Sequence, residues 1–179
     1  TPSQIRQDFS CFGEFGQQGY GYKVTALRAE IASILGMDRG FTAILIGVGN
    51  LGQALMCNFS FKAWGFDLKA AFDVKPELIG TDYEGVPILD VATLPQYLSE
   101  NKIDAAVLCV PKAHAVATTE LLTRHGINAI WNFTNVELTA PESSTIVENI
   151  HFSDSLLSLS YYISEDLDEK AARAARLNK

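Results

Sequence analysis

The sequence lacks the features that define several classes of protein. It has only three cysteines, Cys11, Cys57 and Cys109, which are odd in number and too widely spaced for a disulfide framework or a zinc knuckle. No apolar run approaches the roughly 18 residues of a membrane-spanning helix, and no signal-peptide pattern opens the chain. We therefore predict a cytoplasmic protein with buried, reduced thiols, no membrane association and no metal site. A thiol-based redox switch is the alternative.

The sequence also has little positive charge. Its 14 Lys and Arg residues stand against 21 Asp and Glu residues, and the net charge of −7 gives no overall attraction to nucleic acid. Any contact with DNA must come from a local surface or from residues outside this sequence. The content of 47% hydrophobic and 20% charged residues is ordinary for a globular protein with one full core and a smaller appendage.

A glycine-rich turn stands between a strand pattern and a helix pattern. Gly47, Gly49 and Gly52 have the spacing GxGxxG, in which the first glycine allows a tight bend, the second lets a pyrophosphate approach, and the third lets helix and strand pack closely. A second predicted strand ends at Asp73, about 20 residues on, where an acid that binds a ribose hydroxyl is expected. The glycine-rich turn and Asp73 together predict a dinucleotide site. The carboxylate favours NAD(H) over NADP(H), because it would repel a 2′-phosphate. The alternative is a structural turn beside an ordinary aspartate.

Strand and helix patterns alternate from residue 42 onward. Strands are predicted to end at positions 47, 73, 110 and 133, helices are predicted near 50–61, 94–100 and 113–125, and residues 145–148 are a further candidate strand. The pattern predicts an α/β fold with a Rossmann-type parallel sheet at 41–150. Ligands bind such sheets at the carboxyl ends of the strands. The predicted cofactor-binding residues are Gly47, Val48, Gly49, Asn50, Leu51, Gly52, Asp73, Val74, Val110, Pro111, Asn132 and Phe133.

The sequence patterns at the two ends of the chain predict further helices and a hairpin. Residues 1–12 have helical spacing, the glycines and aromatic residues after them predict a hairpin that turns at 17–19, and 25–35 has the pattern of a second helix. A helix followed by a hairpin is half of a winged helix, so we expect 1–40 to be the C-terminal part of such a domain with its linker. Residues 151–179 are predicted to form one helix, which is surrounded by solvent from residue 165 onward. Its apolar surface packs either in the monomer core or across a dimer interface.

Few residues are suited to catalysis beside a nicotinamide. His114 follows a predicted strand end, although an exposed histidine in the first turn of a helix is the simpler interpretation. No segment is large enough for a substrate-binding domain. The sequence therefore predicts a sensor of the dinucleotide, with no catalytic residue, and the alternatives are a small NAD-dependent oxidoreductase and a CoA-binding Rossmann module.

Taken together, these features resemble the Rex family of redox-sensing transcriptional repressors, without the first part of the winged helix. The matching residues are 3–10, 12–16, 19–22, 48–52, 71–73, 110–111, 132–133 and 147–150. The resemblance implies a homodimer that binds operator DNA with NAD+ or with no cofactor and releases it when NADH binds. It also implies that the C-terminal helices are exchanged between subunits, and that Phe152 reaches toward the nicotinamide pocket of the partner.

The resemblance also assigns DNA-binding residues and shows departures from the family pattern. The recognition helix would carry Ser3, Gln4, Arg6 and Gln7, and the wing tip would carry Gln18 and Gly19. Glutamines stand at positions 7, 17 and 18 in place of basic residues, and Asn135 replaces a common proline. Residues 1–23 have a local charge balance of zero, with Arg6 and Lys23 against Asp8 and Glu14, so we expect little DNA binding by these residues alone.

Two further departures concern the switch that the resemblance implies. Phe59 and His151 stand where many members have a tyrosine and an aspartate that couple the cofactor to DNA binding. Because Phe59 has no hydroxyl group and His151 has no carboxylate, we predict coupling by apolar packing around Phe59 and Phe152. A histidine would add a pH-sensitive repulsion of a basic residue, and an exposed, tolerant position 151 is the alternative.

Overall fold

A computed structural model of the protein describes residues 16–17, 21–140 and 144–177, with side chains described for 23–140 and 144–170. The helix predicted at 1–12 lies outside the described residues. So do all the predicted DNA-binding residues, which are Ser3, Gln4, Arg6, Gln7, Gln18 and Gly19. The hairpin is confirmed, because β1 (Gly16–Gln17) pairs antiparallel with β2 (Gly21–Tyr22).

The body of the molecule is a seven-stranded sheet that alternates with helices along the chain. The strands are β3 (Phe41–Ile46), β4 (Phe66–Asp73), β5 (Asp82–Tyr83), β6 (Val86–Asp90), β7 (Ala105–Leu108), β8 (Ala129–Asn132) and β9 (Ile146–Asn149). The helices are α1 (Val24–Ile34), α2 (Asn50–Asn58), α3 (Leu94–Glu100), α4 (Lys112–Arg124) and α5 (Phe152–Leu177), and short 3-10 turns lie at Phe61–Trp64 and Val91–Thr93.

The strand order is β5-β6-β4-β3-β7-β8-β9, and every pair except β5 with β6 is parallel. The order reverses at the centre, because the chain moves outward from β3 to β4 and β6 and then returns to β7 on the other side of β3. In open parallel sheets this switch point opens a crevice at the carboxyl ends of the strands. The predicted Rossmann-type sheet is therefore confirmed, and it places the crevice between β3 and β7.

Helices cover most of both faces of the sheet. On one face, Ile46 and Phe72 pack with Leu98 of α3 and Leu122 of α4. On the other face, Leu45 and Ala71 pack with Met56 of α2. The central strands are buried on both faces, which explains why their sequences are continuous apolar runs with little alternation.

One part of the α2 face has no helix over it in the described part of the chain. There a cavity of about 360 Å³, which we call the apolar groove, lies over β7, β8 and β9 beside the aromatic residues that follow α2. Phe59, Trp64, Trp131 and Ile146 are among its lining residues, and the other side chains around it are mainly alanine, valine and phenylalanine. A surface of this composition is suited to pack against another apolar surface.

One predicted boundary differs from the structure, and two strands were not predicted. The helix expected to reach about residue 61 ends at Asn58, because Phe59 is extended (φ −101°, ψ 114°) and Gly65 ends the 3-10 turn in the left-handed region. Strands β5 and β6 were missed, because their residues lie among turn residues, with Gly80 before β5, Gly85 between the two strands and Pro87 within β6. The remaining helices and strands within the described residues were predicted to within one or two residues.

Helices α1 and α5 leave much apolar surface uncovered in this single copy. None of the residues of α1 is buried, and Ile34 is 50% exposed. In α5, Leu156, Tyr162 and Leu167 are each more than half exposed. Further along α5, Nζ of Lys170 lies 2.6 Å from Oδ2 of Asp166 in an exposed ion pair. No helix in the described ranges is both long and apolar enough to cross a membrane.

Candidate dinucleotide site

The glycine-rich loop begins at Gly47, directly after β3. Gly47 has φ +96°, a conformation that L side chains rarely adopt, and its N–H donates to the carbonyl oxygen of Phe72 at 2.8 Å. A Cβ at this position would lie 2.6 Å from the backbone oxygen of Cys109. Only glycine fits, because the loop both bends sharply and passes against the chain that leaves β7.

The other two glycines of the loop have different environments. Gly49 is the N-cap of α2, and a Cβ there would meet nothing within 4 Å. Gly52 lies in the first turn of α2, where a Cβ would come 2.0 Å from the carbonyl oxygen of Gly47. The open space at Gly49 would admit a pyrophosphate to the N–H groups at the start of α2, and Gly52 lets α2 pack against the loop.

Asp73 ends β4 and holds the neighbouring loop in place. Its Oδ2 accepts a hydrogen bond from the backbone N–H of Val48 at 2.6 Å, and its Oδ1 accepts from the N–H groups of Val74 and Lys75 at 2.8 and 2.9 Å. Although Asp73 is only 8% exposed, a carboxylate has about four acceptor positions, so one remains for a ribose hydroxyl. The glycine loop and the acid therefore form one unit.

The second wall of the crevice is formed by the chain after β7 and β8. Val110 is half-buried and Pro111 is exposed at the start of α4. Phe133 follows β8, with its N–H bonded to the carbonyl oxygen of Leu108 at 2.9 Å, and its ring lies 6.2 Å from that of Phe152. The structure thus brings the predicted cofactor-binding residues to one edge of the sheet, from β4 through β3 and β7 to β8.

Within that edge, the exposed members are Asn50, Val74, Pro111 and Phe152, while Val48, Gly52, Asp73, Asn132 and Phe133 are buried. The amide of Asn132 is fully used within the protein. Its Oδ1 accepts from the N–H and the hydroxyl of Thr134, and its Nδ2 donates to the carbonyl oxygen of Val136 and to Oδ1 of Asn149. An amide has two donor and two acceptor positions, so that of Asn132 has none left for a ligand.

A second asparagine continues this network, and sequence patterns alone did not reveal it. The Oδ1 of Asn149 also accepts from the N–H of Leu138, and its Nδ2 donates to the carbonyl oxygen of Leu138 and to Oε1 of Glu137. The other oxygen of Glu137 lies 3.1 Å from Nε2 of His151. His151 therefore faces an acid of its own chain. The spacing in the sequence shows no sign of this contact, because it depends on how the loop at 133–138 folds back over β9.

Phe59 lies in a cluster of aromatic side chains beside the apolar groove. Its ring centre is 4.9 Å from that of Phe61, 5.4 Å from that of Trp131 and 6.5 Å from that of Trp64. Trp131 in turn lies 4.6 Å from Phe133 at the crevice. A hydroxyl group at position 59 would stand among apolar rings, so the packing suits phenylalanine. The hypothesis of apolar coupling through Phe59 and Phe152 stays a prediction.

Cys109, whose backbone lies against Gly47, has a partly buried thiol. Burial raises the pKa of Cys109 to about 12, so the thiol stays protonated and unreactive near neutral pH. Cys57 is exposed. We expect iodoacetamide at pH 8 to alkylate Cys57 at least about ten times faster than Cys109, as measured by mass spectrometry of peptides over time. Equal rates would show that the loop opens readily or that Cys109 is not buried.

The proton-transfer candidate from the sequence, His114, lies in the first turn of α4 and is exposed. His114 lies on the crevice side of the sheet. Among the described residues, no acid or hydroxyl group contacts its ring and would orient it for catalysis.

The parallel sheet with its switch point, the glycine loop and the acid at the end of β4 together define a dinucleotide-binding protein of the Rossmann class.

Comparison with known proteins identifies the family within this class. A family model described as "CoA binding domain" matches residues 38–136. The redox-sensing transcriptional repressor Rex of Clostridium acetobutylicum is 47% identical over 165 residues, which cover 92% of this chain and 77% of that relative. The same-named protein of Thermoanaerobacter sp. strain X514 is 47% identical over 166 residues, 93% of this chain and 74% of the relative. The chain belongs to the Rex family of redox-sensing transcriptional repressors.

Solved structures agree with this family assignment. RSP, a Rex-family repressor, in complex with β-NAD+ and operator DNA is 46% identical, has a TM-score of 0.82, and the match covers 97% of this chain and 80% of that chain. RSP in complex with β-NADH is 44% identical with a TM-score of 0.81, over 96% of this chain and 80% of that chain. The match therefore includes both the Rossmann sheet and the elements on either side of it.

Proposed function

We propose that this protein is a redox-sensing repressor that binds NAD(H) in the crevice, binds operator DNA with NAD+ or with no cofactor, and releases the DNA when NADH binds. The observation that carries the proposal is the hydrogen bond that joins the glycine loop to Asp73, in a chain that is 47% identical to a Rex repressor. The complexes of RSP with β-NAD+ and operator DNA and with β-NADH support the same ligands here.

The dinucleotide would lie across the carboxyl edge of the sheet. Asp73 takes the adenosine ribose, because that ribose carries the 2′-hydroxyl that such an acid binds. The N–H groups at the start of α2 take the pyrophosphate. The nicotinamide then lies over the ends of β7 and β8, beside Val110, Pro111 and Phe133. The proposed cofactor-binding set is Gly47, Val48, Gly49, Asn50, Leu51, Gly52, Asp73, Val74, Val110, Pro111, Phe133 and Phe152, together with Asn132, which borders the crevice through its backbone because its amide is used by the loop that follows.

The domain division that we propose has three parts. Residues 1–40 are the C-terminal part of a winged-helix domain with its linker, 41–150 the NAD(H)-binding domain, and 151–179 a helix exchanged in a homodimer. DNA contacts would come from Ser3, Gln4, Arg6, Gln7, Gln18 and Gly19 in a chain that carries a complete winged helix. As a DNA-binding regulator with no membrane association, the protein would act in the cytoplasm.

Two titrations test the proposed function. In the first, NADH and NAD+ are titrated against the protein by fluorescence, and absorbance is followed for hours with aldehydes and ketones. Tight binding without turnover is the expected result, because a sensor needs no proton donor at the nicotinamide. In the second, operator DNA bound to a chain with a complete winged helix is titrated with each cofactor. NADH should release the DNA at a lower concentration than NAD+.

Other outcomes of these titrations would point to the alternatives. Steady oxidation of NADH with any of the carbonyl compounds would make the protein an oxidoreductase. Because the matching family model is described as a CoA binding domain, CoA is titrated in parallel. Tighter binding of CoA than of NADH would replace the dinucleotide assignment.

The acid at the end of β4 also sets the proposed cofactor preference. Replacing Asp73 with alanine removes the acceptor of three backbone hydrogen bonds and the negative charge that opposes a 2′-phosphate. We expect the affinity for NADH to fall at least about tenfold, since a hydrogen bond to a charged group contributes about 1.5–3 kcal/mol. The ratio of NADH to NADPH affinity should move toward one. An unchanged ratio would show that Asp73 does not contact the adenosine ribose.

A homodimer is part of the proposal because both halves of an interface are present in one chain. Helix α5 presents exposed apolar side chains along its length, and the apolar groove provides a cavity of about 360 Å³ beside the aromatic cluster. A helix of this kind gains most of its stability from packing its apolar face against a partner. The helix of a second copy is an occupant of matching chemistry.

A further inference from the structure

Both backbone polar groups of Val48, which stands between the first two glycines of the loop, are bonded to side chains. Its N–H donates to Oδ2 of Asp73 at 2.6 Å, and its carbonyl oxygen accepts a hydrogen bond from Nε2 of Gln53 at 3.2 Å. Asp73 ends β4 and Gln53 lies in the first turn of α2, so a strand and a helix together hold the loop. Val48 is only 1% exposed, so either group would be poorly hydrated without its partner.

The bond from Gln53 also fixes the direction of the next N–H group along the chain. The carbonyl group of Val48 and the N–H group of Gly49 belong to one planar trans peptide unit, in which the two bonds point in opposite directions. Because the carbonyl oxygen turns toward the side chain of Gln53, the N–H of Gly49 turns away from it. Among the described residues, no group accepts a hydrogen bond from this N–H.

The Gly49 N–H is one of a group of free donors at the start of α2. The N–H groups of Asn50 and Leu51 have no carbonyl partner either, because the first turn of a helix lacks a preceding turn. The proposed function assigns these donors to the pyrophosphate. A rotated peptide between Val48 and Gly49 would turn one donor away and bring a carbonyl oxygen toward the phosphate, which would repel it.

We propose that Gln53 is a positioning residue for the pyrophosphate of the dinucleotide, because its bond to the carbonyl oxygen of Val48 keeps the N–H of Gly49 directed at the phosphate. This inference rests on the proposed function. The side chain acts through the backbone of the loop and needs no contact with the ligand. Its amide supplies the N–H donor that a carbonyl oxygen requires, whereas a leucine of similar size has none.

The test is Gln53→Leu in the whole chain, with three ligands. The affinities for NADH and for ADP-ribose should both fall about three- to tenfold, which corresponds to the loss of one neutral hydrogen bond. The two factors should be equal, since both ligands carry the pyrophosphate. Adenosine has the ribose for Asp73 but no phosphate, so its affinity should not change. Fluorescence measures NADH, displacement of NADH measures ADP-ribose, and an NMR titration measures adenosine.

A role of Gln53 in the general stability of the loop would give a different pattern. Because Val48 also holds Asp73, a loop that lost its shape would bind adenosine more weakly as well. The amide NMR signal of Gly49 gives a direct reading of the proposed contact. Saturation with ADP-ribose should shift this signal strongly in the wild type and much less in Gln53→Leu. This reading decides the question where adenosine binds too weakly to be measured.

Asn58→Leu is the matched control, because it removes a bond of the same kind from the other end of α2. There Nδ2 of Asn58 donates to the carbonyl oxygen of Ala54 at 3.1 Å. This variant should bind all three ligands like the wild type. The inference is overturned if Gln53→Leu binds ADP-ribose as tightly as the wild type, weakens adenosine equally, or leaves the Gly49 shift unchanged. If the wild type binds neither NADH nor ADP-ribose, the proposed function itself fails.

Discussion

Replacing Gly52 with alanine is expected to weaken NADH binding strongly and to lower the thermal stability of the protein. The new Cβ would lie 2.0 Å from the carbonyl oxygen of Gly47 and 3.2 Å from Cδ2 of Leu45. Because the Gly47 oxygen belongs to the backbone, no side-chain movement can relieve the contact. Helix α2 and the glycine loop must separate, which disturbs both the N–H groups for the pyrophosphate and the bond from Val48 to Asp73.

The expected size of the Gly52→Ala effect follows from overpacking. An overpacked site is destabilised by about 1–3 kcal/mol, which lowers the melting temperature of a domain of this size by roughly 3–10 °C. The affinity for NADH should fall at least about 100-fold, because the loop no longer presents its N–H groups in the required geometry. Calorimetric melting and a fluorescence titration with NADH measure the two effects.

Gly49→Ala is the matched control, because it separates the shape of the loop from its contact with the ligand. Gly49 has φ −77°, which an alanine adopts without strain, and a Cβ there would meet no atom within 4 Å. The melting temperature should stay close to that of the wild type, while the affinity for NADH should fall at least about tenfold because the Cβ obstructs the pyrophosphate. Unchanged affinity in Gly49→Ala would show that the pyrophosphate does not lie against the loop.

The geometry of the glycine loop shows which features of the site the sequence could predict. The roles of Gly47 and Gly52 follow from the local backbone geometry of the loop, and their spacing in the sequence is typical of that geometry. Asp73 was predictable for the same reason, since β3 and β4 are adjacent parallel strands joined by α2, so that their ends must meet. The parallel sheet was predictable from the alternation of strand and helix patterns, whereas its strand order was not predicted.

Contacts between segments that are distant in the chain were not predictable. Cys109 lies against Gly47 because β3 and β7 are neighbours, and the register of that pair is not visible in either strand alone. Asn132 was assigned to the cofactor from its place at a strand end, whereas its amide is used entirely by the loop that follows. Strand β6 has too few residues between its turns for periodicity to distinguish it from a loop.

The surroundings of His151 depend on a contact that the sequence does not reveal. The sequence suggested that a cationic histidine would repel a basic residue, because the comparison was with an acidic residue at this position in the family. The structure places Oε2 of Glu137 3.1 Å from Nε2 of His151, and the repulsion of a basic residue stays a prediction. The loop at 133–138 is what brings the two together, and its left-handed residue, Asn135, has no periodic pattern that would reveal the turn.

The exposed helix α5 underlies the second large effect that we expect. Five of its side chains recur at helical spacing and form a stripe along one side, each between 52% and 66% exposed. The stripe consists of Phe152, Leu156, Leu159, Ile163 and Leu167. A stripe of this length is too apolar to stay in water, and the apolar groove of a second copy would bury it. The dimer that we propose therefore depends on these side chains.

Replacing Leu159 with glutamate, at the middle of that stripe, should separate the two subunits. The substitution would place an unpaired carboxylate in an apolar interface, and a buried unpaired charge destabilises by about 3–5 kcal/mol, so the dissociation constant of the dimer should rise at least about 100-fold. Ser158→Glu is the control, because it adds the same charge on the other side of the helix and should leave the dimer intact. Sedimentation velocity at micromolar concentration distinguishes the two. A dimeric Leu159→Glu protein would mean that the copies meet through another surface, and a monomeric wild type would remove the exchanged helix from the proposed function.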